Sequence, residues 1–285
     1  MPSLAKSGAF SSLFVVYGAI AAFVATLVVT HGLGEAGAGL FFQVMALFTI
    51  GTSLSVFGSD TGLVRTVSAQ RAVGRYSAIP RLIRFATIPS LCIAIGLTVV
   101  ALIYTLPALT PSLDHDYRVA VIVSAPFLIA AAAMTICFGV LRGLNRVVTF
   151  TALQNVLLPT LRILAVLLVV SMAGSMLSLA LAWAIPVVIV GLIALVLVRK
   201  YMPRAEDDVA EGSVPAETAK TFWGFSAARG VSAVVESILE WIDVLFVAAY
   251  GGVVASGIYG AVNRMVRMGV MVEHTGRIVT GPSIS

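Results

Sequence analysis

Between Ile163 and Val198 the chain runs thirty-six positions without a charged residue. At about 1.5 Å of rise per residue, a helix over that run would be far longer than the ~30 Å apolar thickness of a bilayer. It is also too apolar to coat a water-soluble domain, whose surface must be covered by polar side chains. The small-residue stretch Ser171-Met172-Ala173-Gly174-Ser175 divides it. Two spans result, about Val148–Val170 and about Leu177–Val198.

The same reading extends to the whole chain. Hydrophobic residues make up 59% of it and charged residues only 11%, against roughly 25% charged in soluble domains. A soluble enzyme, a nucleic-acid binder and a disordered scaffold are thereby excluded. Charged residues delimit six further candidate spans: about Ser12–Thr30, Gly39–Phe57, Phe85–Leu106, Val119–Leu141, Ala227–Tyr250 and Gly257–Val279. The uncharged stretch Ser7–Thr30 after Lys6 exceeds a signal-peptide core of about 7–15 residues and reads as a retained first helix. The expected fold class is therefore all-α, a polytopic membrane helix bundle of about eight spans. Cys92 and Cys137 both fall in apolar runs and read as small buried hydrophobes.

Basic residues orient the spans. With a cytoplasmic N-terminus, the inner segments hold Lys6, Arg65, Arg71, Arg75, Arg81, Arg84, Arg142, Arg146, Arg199, Lys200, Arg204 and Lys220, and the outer loops hold only Arg118. That asymmetry obeys the positive-inside rule. The most hydrophilic stretch, Arg199–Lys220, contains Pro203, Gly212, Ser213 and Pro215 and reads as a linker. It suggests a six-helix bundle over 1–203, a cytoplasmic linker over 204–222, and two helices of a second bundle over 223–285. An internal echo falls at the same boundary. Gly34-x4-Gly39-Leu40-Phe41 is matched by Gly252-x4-Gly257-Ile258-Tyr259, 218 residues later.

Ionisable residues inside spans cost roughly 2.5–3.5 kcal/mol on insertion scales and ask for a reason. Arg229, Glu236, Glu240 and Asp243 lie within about 60° of one another on the seventh helix. Arg264, Arg267 and His274 form a basic stripe on the eighth. The two stripes either neutralise one another as structural ion pairs or line a polar lumen for a charged substrate or coupling ion. Arg162 shares a helix face with Asn155 and Thr151. It either snorkels to an interface or faces the lumen, where a guanidinium suits phosphate or carboxylate. Pro89, Pro126, Pro159 and Pro186 punctuate the third to sixth helices. No P-loop, zincin motif or nucleophile elbow occurs in the sequence. Asp114-His115-Asp116 reads as a solvated turn rather than a metal site.

Three segments carry a resemblance together: Gly58-Ser59-Asp60-Thr61-Gly62-Leu63-Val64-Arg65, then Leu141-Arg142-Gly143-Leu144-Asn145-Arg146, then Trp241-Ile242-Asp243 with Gly257-Ile258-Tyr259-Gly260-Ala261. Their order and spacing resemble the Wzx-type polysaccharide-biosynthesis flippases of the multidrug/oligosaccharidyl-lipid/polysaccharide exporter superfamily, across essentially the whole chain. The resemblance implies a MATE-like pair of helix bundles around a central cavity in the plasma (inner) membrane. It implies alternating-access export of a polyprenyl-linked oligosaccharide, coupled to H+ or Na+, with no organic cofactor, no metal and no nucleic-acid partner. Carried onto this sequence, it marks Arg162, Asp243 and Arg264 as cavity positions with Glu236, Glu240 and Arg267 as neighbours, and Asp60 and Arg65 as the helix-two signature, tying helix ends together; Asn155 joins the pathway set through the helix face it shares with Arg162. Such proteins have twelve or fourteen helices, so a chain of about eight looks C-terminally truncated. The alternatives are a drug or cation antiporter of the same superfamily, a membrane-embedded glycan polymerase or ligase, and a non-transporting remnant. The first alternative, like the leading reading, is not an enzyme.

Overall fold

The computed structural model describes residues 4–172, 174–203 and 218–280, with side chains from Phe10 to Arg264 and at Val266. Described residues form helices only: α1 Leu4–Val56, α2 Ser59–Ala72, α3 Ile79–Tyr104, α4 His115–Ser124, α5 Phe127–Gly143, α6 Val147–Ala152, α7 Leu158–Ser171, α8 Met176–Tyr201 and α9 Ala219–Thr280. A π-turn, Leu153–Leu157, joins α6 to α7. Large apolar side chains such as Leu13, Val100, Leu168, Val196 and Leu239 face outward. Only lipid makes that arrangement favourable, so the protein is an all-α, multi-pass membrane helix bundle.

Helices α1 and α9 are each about twice the length of one span. Each is divided at a single glycine. Gly34 has φ 68° and ψ −177°, and Gly252 has φ 81° and ψ −179°. That region of backbone space is open essentially to glycine alone. The chain doubles back at Gly34. Before it, Ser11, Tyr17 and Gly32 meet Thr151, Thr160 and Val170 in turn, so residues 4–33 run alongside α6 and α7. After it, Val44 packs with Val121, Gly51 meets Leu128, and Val56 packs with Ala132, so residues 35–56 run alongside α4 and α5. Five apolar helices reach span length, and the bent pair α4–α5, turning 42° at Ala125-Pro126, makes a sixth. Gly34 and Gly252 further divide α1 and α9 into two limbs each, at the positions where the charge pattern predicts a turn between spans.

The two glycines stand 218 positions apart, the spacing of the sequence echo, and their surroundings repeat as well. A Cβ on Gly39 would overlap the carbonyl oxygen of Val253, and a Cβ on Gly257 would overlap that of Glu35. Residues 35 and 39 map onto 253 and 257 at the same offset, so the contact is reciprocal. The hairpins 4–56 and 219–280 therefore cross about a local two-fold relation, backbone against backbone, as small residues permit in membranes.

Helix α5 is buried along most of its length, from Leu128 to Gly143, and packs against α8, α2 and α3. Prolines are accommodated by specific partners. Pro89 cannot donate to the carbonyl of Phe85, and Trp223 Nε1 donates to that oxygen instead at 3.1 Å. Thr98 Oγ1 donates to Ala125 O at 2.9 Å beside the Pro126 bend. The π-turn precedes Pro159 and relieves its clash with the carbonyl four residues back.

Several expectations are corrected. The basic stretch after the second span is not a loop, because α2 occupies it and buries Leu63, Thr66, Val67 and Gln70. Arg65, Arg71 and Arg75 are thus displayed from a helix and its C-terminal turn. The proposed 204–222 linker falls mostly outside the described residues, but α9 begins at Ala219, with Phe222 fully buried against Gly62 of α2. Cys92 is exposed on the bundle surface rather than buried, and Cys137 is half-buried. Asp114 caps α4, accepting from the backbone N–H of Asp116 and Tyr117, and His115 and Asp116 are exposed.

Candidate functional site

A cavity of about 520 Å³ with mixed polar and apolar lining lies between the second limb of α1, α2, α5, the α6–α7 segment, α8 and α9. Its charged lining residues are Asp60, Arg142, Arg162, Glu236 and Glu240. Polar neutral groups come from Thr49, Thr52, Ser53, Thr135, Gln154 and Ser237, and rings from Phe48, Phe138, Phe150 and Trp183.

Arg162 reaches the cavity from α7. Its guanidinium lies 4.0 Å from the ring centre of Trp183, and its Nε donates to Trp183 O at 3.3 Å, in the turn before Pro186. Stacking and hydrogen bonding together fix the plane of the group. No carboxylate among the described residues forms an ion pair with it. Of the two readings open in sequence, the structure takes the inward one: Arg162 does not snorkel.

Toward the end of the bundle that gathers the basic residues, Arg142 Nη2 donates to Asp60 Oδ2 at 2.7 Å. The same guanidinium lies over the Phe150 ring. The pair closes a tight seam. A Cβ on Gly139 would meet the backbone of Asp60 at 2.7 Å, and one on Gly143 would meet Val67 at the same distance. Ser68 Oγ donates to Gly143 O at 3.2 Å. Asn145, in the left-handed conformation at φ 60°, ends α5, and Arg146 N–H then returns to Leu141 O at 2.8 Å. The Gly58–Arg65 and Leu141–Arg146 segments are therefore two halves of one joint. Arg65 takes another partner, stacking 4.4 Å over Phe225 of α9.

The cavity does not gather every residue singled out in the sequence. Arg162, Glu236, Glu240 and Asp60 line it. Asn155 does not: it faces the first limb of α1, where its Cβ and carbonyl would lie 3.0 Å from a Cβ on Gly18. Gln154 lines the cavity in its place. An α-helical spacing puts Asn155 in line with Arg162 seven residues on. The π-turn inserts one extra residue between them, so the position eight residues back comes into line. Pro159 was the local signal for that irregularity.

Asp243 continues the acidic stripe but meets a different neighbour. It accepts from Tyr259 Oη at 2.9 Å and from Asn263 Nδ2 at 2.8 Å, tying the two limbs of α9 across the Gly252 break. Arg264 lies 4.3 Å over the Trp241 ring and lines a small space beside the cavity with Glu240 and Asn263. Arg229 is exposed. The side chains of Arg267 and His274 lie outside the described residues. Arg142, Gln154 and Trp183 were missed in the sequence. So was the hydroxyl face of Thr49, Thr52 and Ser53, though its three-and-four spacing on an apolar helix was a readable sign.

No curated protein and no solved structure matches this chain. A family model described as "Polysaccharide biosynthesis protein" matches residues 4–274. With nearly its whole length so matched, the chain belongs to the polysaccharide biosynthesis protein family.

Proposed function

We propose that this protein is a transporter that flips lipid-linked oligosaccharide units across the plasma membrane for cell-surface polysaccharide synthesis, by alternating access. The observation that carries this reading is the intramembrane cavity, polar and aromatic in lining, with the stacked arginine Arg162 held on Trp183. Rings and hydrogen-bonding side chains suit a sugar, and a guanidinium without a carboxylate partner among the described residues suits a phosphate linkage. Family membership supports the role in polysaccharide synthesis. A glycan polymerase would place its reactive groups on an outer loop, whereas the charged groups here lie between helices. In the same reading, residues 1–203 are the first bundle, the hairpin 219–280 opens its counterpart, and the basic end faces the cytoplasm.

The test is a strain in which deleting this protein abolishes surface polysaccharide. Arg162→Ala should leave protein level unchanged, remove the polysaccharide, and accumulate lipid-linked units in the inner leaflet. Normal polysaccharide in that variant would refute the cavity as the route. Accumulation of single units already on the outer leaflet would instead identify a polymerase.

A further inference from the structure

Most hydroxyls around the cavity have no hydrogen left to offer. Thr49 Oγ1 donates to Met45 O at 2.8 Å, Thr52 Oγ1 to Phe48 O at 2.8 Å, and Thr135 Oγ1 to Ala131 O at 2.9 Å. Ser53 Oγ donates across to Ala233 O at 3.1 Å. A hydroxyl has one hydrogen and two lone pairs, so each of these presents only acceptor capacity to the cavity.

The acidic residues add to that imbalance. Glu236 and Glu240 stand one turn apart on α9 and both line the cavity. Glu236 has no hydrogen-bond or ion-pair partner among the described residues. Beside it, Ser237 lines the same cavity at 8% exposure, and its Oγ is buried without a partner among the described residues. A buried polar atom of that kind is ordinarily satisfied by a ligand or water. Asp60 and Arg142 neutralise each other, which leaves Arg162 as the lining cation without a carboxylate partner among the described residues. A ligand that is anionic throughout would meet like charge at Glu236 and lone pairs where it needs donors. A polyhydroxyl ligand with a cationic nitrogen would match both.

We propose that the cavity selects oligosaccharide units bearing a free, non-acylated amino group. The ammonium sits against Glu236 and Ser237, sugar hydroxyls donate to the threonine and serine oxygens, and an anionic group of the same ligand sits at Arg162. This inference rests on the transport reading above and names the substrate class within it.

The experiment uses the full chain in lipid nanodiscs and three water-soluble probes in mildly acidic buffer: a glucosamine tetrasaccharide, its fully N-acetylated form, and a galacturonate tetrasaccharide. Calorimetry should show the free-amine probe binding about tenfold tighter or more than the N-acetylated one, as expected for one added charge-assisted contact. Glu236→Gln, isosteric and at an exposed position, should bring that ratio close to one. A ratio near one in the native protein, tightest binding of the galacturonate, or a preference that survives Glu236→Gln would each overturn the inference and leave the transport reading standing. Failure of all three glycans to bind, with binding of tetraphenylphosphonium instead, would overturn both and identify a cation exporter.

Discussion

The crossing of the two hairpins sets up a test in which sequence-identical changes should have opposite outcomes. Gly39→Ala places a methyl group into the carbonyl of Val253, and Gly257→Ala places one into the carbonyl of Glu35. Both obstacles are backbone, so neither can rotate aside. Carbon and oxygen pack at roughly 3.5 Å, so the hairpins would have to part by more than about 1 Å at the crossing. Overpacking of this kind costs about 1–3 kcal/mol. Because the contacts are reciprocal, each variant opens the same crossing. The double variant should therefore cost clearly less than the sum of the two, as coupled neighbours do. Gly96→Ala is the control. It lies inside α3, and a Cβ there has nothing within 4 Å. Removing a flexible glycine from a helix should there be neutral or stabilise by up to about 1 kcal/mol. Gly34→Ala separates space from conformation. Nothing stands within 4 Å of its Cβ, but its φ of +68° pairs with a ψ of −177°, so strain alone should cost on the order of 1–3 kcal/mol. The assay is thermal unfolding of the purified protein in detergent, with all variants at equal concentration. If Gly39→Ala unfolds no earlier than Gly96→Ala, or if the Gly39 and Gly257 variants add fully, the two-fold crossing is wrong.

Three further outcomes follow from single contacts. Trp223→Phe strands the Phe85 carbonyl that Pro89 leaves open and should cost about 1–2 kcal/mol; in a Pro89→Ala background, where the helix can satisfy that carbonyl itself, unfolding experiments should find most of the cost gone. Asp60→Asn breaks a pair whose side chains are 21% and 29% exposed, between surface and buried limits, and should cost about 1–4 kcal/mol; an Asp60→Arg, Arg142→Asp double exchange that restores no stability would refute the pairing. Arg162→Lys keeps the charge but loses the planar stack on Trp183 and the Nε donation, so polysaccharide export should fall at least about tenfold with protein level unchanged; full activity of the lysine variant would mean that charge alone suffices.

The spans were legible because transfer from water to lipid is nearly additive along the chain, and uncharged runs reveal it without knowledge of neighbours. The glycines at 34 and 252 were legible for a related reason: a hairpin between spans demands a backbone that only glycine tolerates, and the demand recurs at a fixed offset. Which residues face one another was another matter. Asn155 and Gln154 exchanged roles because a π-turn before Pro159 shifted the register by one residue. Asp243 left the stripe that Glu236 and Glu240 share because the second limb of α9 is its neighbour there. The stretch after Phe57 looked like a basic loop because its apolar positions are few, yet Leu63 and Val67 bury fully once α5 and α9 lie over them. Sequence by itself determined what must cross the bilayer and where the chain must turn, since solvent transfer and backbone sterics act locally. Only the tertiary structure decided that Asp60 meets Arg142 and that Arg162, Glu236 and Glu240 share one cavity. Those pairings depend on register and on the close approach of distant backbones, which no stretch of sequence encodes alone.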